Sequence, residues 1–136
     1  RINFFRLSST NDTYYVKLQE SYFSESNAIG GWSLIGYKAP GAKSINDTIQ
    51  GTTTNFQYDQ KGTYTNGTIA VDNSGNIAET EVWAAKNYAA KLNDCVKDSE
   101  WLVKATVSNS VVTFAAEVPT AAGCKELTPS FTGIGK

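Results

Sequence analysis

Only one long stretch of this chain is free of glycine and proline and also shows helical spacing, running from Ser9 to about Asn27. Within it Tyr15, Leu18 and Tyr22 recur at three and four residues, and Val16 and Phe23 widen the apolar face. Lys17, Gln19, Glu20 and Glu25 fall mainly elsewhere. The spacing predicts an amphipathic helix over 9–29, capped at its start by Ser9, Thr10 or Asn11 and stopped by Gly30-Gly31. Beyond that one long helix, most of the 136 residues read as strands and loops. The expected fold class is α+β, a single globular domain in which the N-terminal helix packs on an antiparallel sheet.

Ahead of the helix, residues 1–8 form an apolar stub in which Ile2, Phe4, Phe5 and Leu7 stand among Arg1 and Arg6, either a strand or the last turns of an upstream helix. Residues 30–54 are rich in glycine and polar residues and read as a long loop anchored by Trp32 and Tyr37. From residue 55 the period changes to two, and 55–118 reads as an antiparallel sheet. Asp72-Asn73-Ser74-Gly75-Asn76 supplies turn chemistry inside it. Val82 to Ala90 either continues a strand or forms a helical turn, and its alanines favour helix. Trp101–Val107 and Val111–Val118, joined at Ser108-Asn109-Ser110, make the clearest hairpin, and 119–136 is a tail with Phe131 and Ile134 as anchors.

Cys95 and Cys124 stand just outside that hairpin. An even pair in a chain rich in Thr, Ser, Asn, Gly and Tyr points to a disulfide in an exported domain. Two buried free thiols are the other reading. Two thiolates without histidine fill only half of a tetrahedral metal shell, so no metal is expected. The chain has no histidine, which removes the commonest general base near neutral pH and most imidazole metal sites. It also has no methionine, so it is expected to be processed or part of a longer chain. A net charge of -1 leaves no broad cationic field for a phosphate backbone, and no nucleic acid partner is expected.

Other chemical signals are ordinary. Glu79 and Glu81 lie two apart, on one face of a strand, and such a pair is usually solvated rather than catalytic. The 72–76 segment superficially offers calcium ligands but lacks the later bidentate acid, so a plain turn is preferred. The sequons at Asn11, Asn46 and Asn66 match what chance places in such a composition. No cofactor and no enzymatic activity are expected. Trp32, Trp83 and Trp101 could stack on sugar rings if exposed, which keeps open a small secreted carbohydrate-binding or host-interaction module. Core packing is the stronger expectation for them.

The order helix, anchored loop, antiparallel sheet and closing cysteine pair resembles the soluble head of a type IV pilin or pseudopilin. The residues that carry this are Tyr15–Tyr22, Gly31–Pro40, Asn55-Phe56, Leu92–Cys95 and Cys124–Phe131. The family's leader, cleavage site and apolar first helix are not in this sequence. The resemblance implies that such a helix precedes Arg1 and is the only route to a membrane. It also implies a non-enzymatic filament subunit on a Gram-negative cell surface or in a periplasmic pseudopilus, with copies of itself or related subunits as partners. Phe4, Phe5, Arg6, Trp32 and Tyr37 become candidates for packing against a neighbour.

Overall fold

A computed structural model describes residues 9–41 and 49–135, and for 9–12 and 49 the backbone alone. Phe4, Phe5 and Arg6 of the N-terminal stub, and Asn46 of the second sequon, lie outside the described residues.

Helix α1 covers Ser9–Ser26. Its buried side is Tyr15, Val16, Gln19 and Phe23, with Leu18 and Tyr22 partly buried. The apolar spacing therefore holds, but its centre is turned toward a polar residue. The helix ends earlier than the glycine pair. Asn27 takes the left-handed conformation at φ 55°, and its N–H donates to the carbonyl of Phe23 at 2.8 Å. Asparagine tolerates this region better than most residues and closes the helix there. Gly30 serves a different purpose: a Cβ on it would come within 2.8 Å of Ile35 and 2.9 Å of Tyr22. It lets strand β1, Ala28–Gly30, pass beneath the helix.

The segment expected as one long loop contains structure at both ends. A one-turn helix, α2, spans Trp32–Ile35 and closes on Gly36, whose φ is 79°. Strand β2 spans Ile49–Thr52. The physical reason is anchoring: Trp32 and Tyr37 are buried and hold the turn against the body. Beyond it come β3 (Gln57–Gln60) and β4 (Thr68–Ala70), then β5 (Ile77–Lys86), β6 (Glu100–Ser108) and β7 (Val111–Glu117). Short 3₁₀ turns at Lys125–Leu127 and Phe131–Gly133 complete the tail.

Five strands form an antiparallel sheet in the order β2-β3-β5-β6-β7, while β1 and β4 pair separately, Ala28 opposite Ala70 and Gly30 opposite Thr68. Strand β4 enters from a tight turn in which Asn66 and Gly67 both have positive φ and Thr65 and Thr68 exchange backbone hydrogen bonds, the Asn-Gly hairpin pattern. Helix α1 lies mainly against β1, with smaller contacts to α2 and β7. The molecule is thus mixed helix and sheet.

Strand β5 replaces the helical turn that its alanines suggested. It is central, paired to β3 on one side and β6 on the other, with Ala84 and Ala85 fully buried. Pairing on both edges outweighs a propensity difference of about 0.5 kcal/mol per residue. The β6–β7 hairpin matches its sequence pattern closely. Trp101, Val103, Ala105 and Val107 are buried in alternation, and the turn residues Asn109 and Ser110 both have positive φ.

A two-residue turn of this kind is flanked by a hydrogen-bonded pair, here Ser108 opposite Val111. Alternation from that pair aims the amides of Val112, Phe114 and Ala116 away from β6, toward the open edge of the sheet. Gly135, with φ 86°, sits over that edge: a Cβ on it would come within 2.7 Å of the Phe114 carbonyl oxygen.

One core runs through the whole. Its largest members are Trp32, Trp83, Trp101, Tyr15, Tyr58, Phe56 and Phe131. Each indole N–H is satisfied. Trp32 donates to the carbonyl of Val82 at 3.1 Å, Trp83 to the hydroxyl of Tyr37 at 3.1 Å, and Trp101 to the hydroxyl of Thr128 at 2.8 Å. The three tryptophans therefore tie α2, the segment after it and the tail to the central strands.

Candidate functional site

The tryptophans proposed as a sugar platform are all 0% exposed. A ring with no open face cannot stack on a carbohydrate, so Trp32, Trp83 and Trp101 are core residues, held by their N–H partners as much as by their area. Trp32 and Tyr37 also fail as surface residues for packing on a neighbour. Tyr37 is 4% exposed and stands edge-on to Trp32, ring centroids 4.8 Å apart.

Cys95 and Cys124 are joined by a disulfide, with Cα atoms 4.6 Å apart and both side chains fully buried. The bond ties the turn before β6 to the segment after β7. Leu92 and Cys95 exchange backbone hydrogen bonds across a turn in which Asn93 has φ 51°. At the centre of this end lies Asn87, 0% exposed. Its Nδ2 donates to the carbonyls of Cys95 at 3.2 Å and Val96 at 2.9 Å and lies 3.7 Å from the Cys95 sulfur. Its Oδ1 accepts from the Ser99 N–H at 2.8 Å, and its own carbonyl accepts from the Asp98 N–H at 3.1 Å. A single amide thus fixes the loop that carries one half of the disulfide. No pattern at residue 87 marks it in advance.

Around the disulfide the surface is hollowed on two sides of the segment 118–121. One hollow, of about 320 Å³, is walled by Leu102, Val118, Pro119 and Ala121, with Glu100 and Glu117 at its rim. The other runs on past Ala122 and Gly123 to Lys125 and Glu126. Glu117 accepts from Lys104 at 2.9 Å, and Glu100 stands 3.7 Å from Lys61. Lys61 also lies 3.8 Å from Glu81, so this member of the carboxylate pair is salt-bridged and Glu79 is exposed. The hydrogen bond from Lys104 to Glu117 raises the affinity of that lysine for its proton.

Large apolar side chains stand half-exposed at four separate places: Tyr14 at 51%, Leu34 at 50%, Val96 at 54% and Val111 at 56%. Sequence spacing did not single out any of these. Tyr14 sits on α1 with its ring 6.4 Å from that of Tyr37. Leu34 caps α2 over the Asn66-Gly67 turn, where a Cβ on Gly67 would come within 2.8 Å of it.

The 72–76 segment is a turn. The Asp72 Oδ1 accepts from the N–H groups of Ser74 at 2.8 Å and Asn76 at 3.0 Å, which commits that oxygen to the turn. Among the described residues no group of three His, Cys, Asp or Glu side chains is placed to hold a metal ion, and no helix is long and apolar enough to cross a membrane. Two phenols, Tyr15 fully buried and Tyr64 partly buried, are held neutral. Tyr15 is pushed well above its ordinary value by burial and by the nearby Tyr64, and Tyr64 is likewise raised by burial. What this surface offers chemically is contact: half-exposed apolar side chains and shallow hollows with charged rims. No protein family, curated protein or solved structure matches the chain.

Proposed function

We propose that this chain is the head of a structural subunit in an extracellular type IV pilus-like or pseudopilus filament, acting through side-by-side packing of heads. The observation that carries the reading is the order of parts. An N-terminal helix leads into an antiparallel sheet, and one disulfide closes the loops that flank the last hairpin. Half-exposed Tyr14 and Leu34 on the helical side, and hollows near the disulfide, supply unlike surfaces of the kind that repeat without closing. The carbohydrate-binding alternative loses support with its three stacking rings buried. By this reading the protein works at a Gram-negative cell surface or in the periplasm.

Reading the coding sequence upstream of Arg1 tests it. A short leader, a cleavage site and about twenty apolar residues with one glutamate are expected. An ordinary secretion signal directly before Arg1 overturns the proposal and leaves a free exported domain.

A further inference from the structure

Among the asparagines of this chain, Asn66 alone is followed by glycine. The pair forms the tip of the turn into β4, with Asn66 exposed and φ at 53° for Asn66 and 82° for Gly67. Thr65 and Thr68 close the turn through backbone hydrogen bonds of 2.8 and 3.1 Å. The groups between them are left open: among the described residues neither the Asn66 side-chain amide nor the Gly67 N–H has a hydrogen-bond partner. The Gly67 carbonyl, by contrast, accepts from the Gly31 N–H at 2.8 Å, and the Leu34 side chain lies so near that a Cβ on Gly67 would come within 2.8 Å of it. The turn thus holds the start of α2 to the β1–β4 pair. Strand β4 is three residues long, pairs with β1 alone, and is nowhere fully buried. So short and exposed an element opens locally at low free energy.

We propose that Asn66 is a site of spontaneous deamidation, and that its isoaspartyl product releases α2 from the β1–β4 pair. When the turn opens, the Gly67 nitrogen gives its proton to hydroxide and attacks Cγ of Asn66. A bond from nitrogen to Cγ forms, the Cγ–Nδ2 bond breaks, and Nδ2 leaves as ammonia from a cyclic succinimide. Water then adds to one imide carbonyl. Addition at Cγ restores the ordinary main chain with an aspartyl residue, while addition at the main-chain carbonyl reroutes the chain through Cβ and Cγ as an isoaspartyl residue. Water enters, ammonia leaves, and nothing is oxidised. Glycine at 67 admits this approach because it carries no side chain, whereas Ser74, Asp94 and Ser110 crowd the same step at Asn73, Asn93 and Asn109. The methylene added to the main chain lengthens a turn whose register depends on its two central residues. The Thr65–Thr68 bonds and the Gly31–Gly67 bond then cannot all be kept.

The test follows the folded full chain in mildly alkaline buffer by peptide mass spectrometry, with the chain unfolded in urea as the reference rate. Asn66 is expected to convert ahead of every other asparagine, to aspartyl and isoaspartyl forms together, within about tenfold of its unfolded rate and faster as hydroxide rises. A wider gap between folded and unfolded rates, or another asparagine converting first, overturns the site. Hydrogen exchange of the aged protein reads the consequence: Gly31 and strands β1 and β4 are expected to lose protection while β6 and β7 keep theirs. Asn66→Gly, which suits the same positive φ and has no amide to lose, is expected to keep full protection after the same incubation. Equal protection at Gly31 in converted and fresh protein, or an equal loss in Asn66→Gly, overturns the release of α2. The filament reading is judged separately by the upstream coding sequence.

Discussion

At the N-terminal side of the molecule, Gln19 reaches from the middle of α1 to the backbone of β1. Its Nε2 donates to the Gly30 carbonyl at 2.7 Å and to the Tyr15 hydroxyl at 2.9 Å, and its Oε1 accepts from the Gly30 N–H at 3.1 Å. At the C-terminal side, Asn87 binds the backbone of 95–99 in a similar way, but there a covalent bond closes the same loop. Both ends rely on one fully buried amide side chain that satisfies backbone groups no strand partner reaches. The difference is redundancy. Losing Asn87 leaves Cys95 tethered, whereas losing Gln19 leaves a three-residue strand held to its helix by packing alone.

The largest expected effect breaks the C-terminal tether itself. Replacing Cys95 and Cys124 together by alanine removes a constraint worth about 3 to 4 kcal/mol. It should lower the melting temperature by about ten degrees or more, as followed by calorimetry. An unchanged melt would show that the two ends do not differ in the way described.

Next comes Gln19→Leu, which strands the Gly30 N–H and carbonyl in the core and should cost about 3 kcal/mol. Amide exchange is the discriminating readout: protection should fall in β1 and β4 while β6 and β7 keep theirs.

Asn87→Ala should cost about 2 kcal/mol with the disulfide intact. A double-mutant cycle sharpens the contrast, since the Asn87 and cysteine changes should be non-additive, while Gln19 and the cysteines should add.

Alkali probes the N-terminal cluster by another route. Tyr15 and Tyr64 hold their protons in the folded state above the value of 10.0 that they have when unfolded. Below that pH the proton count is equal in both states and stability is flat. Above it the unfolded chain releases protons that the folded chain retains, so stability falls, by up to about 1.4 kcal/mol per pH unit per tyrosine. Tyr64→Phe should halve that slope in urea melts taken across the alkaline range.

The smallest effect is expected at the surface. Leu34→Ser, at a half-exposed position, should shift stability by no more than about 0.5 kcal/mol in the same urea assay.

The sequence was most legible where a single periodicity governs burial. Residues 101, 103, 105 and 107 alternate into the core, and the turn at Asn109-Ser110 fell where polar residues interrupt that alternation. It was least legible where a residue's surroundings come from distant parts of the chain. Gln19 looks like one more polar position on a helix, yet its partner lies in a strand that begins only after the helix has ended. Ala84 and Ala85 favour helix locally, but strands on both sides fix them in the sheet. The tryptophans were expected chiefly in the core and are buried there, although an aromatic ring by itself suits a core and a binding face alike. The pairing of Cys95 with Cys124 could be read because only two cysteines occur, whereas the hollows beside it depend on how 117–126 returns past β6.

The segment around Gly135 has a consequence for the open edge of the sheet. Strand β7 carries no charge until Glu117, contains no proline, and borders the sheet, which makes it a ready template for strand-by-strand accretion. The close approach of Gly135 to the middle carbonyl of that border works against it, as a hem stops cloth from fraying. A side chain at residue 135 would push the hem away, and the same surface would become a seed for disordered fibre.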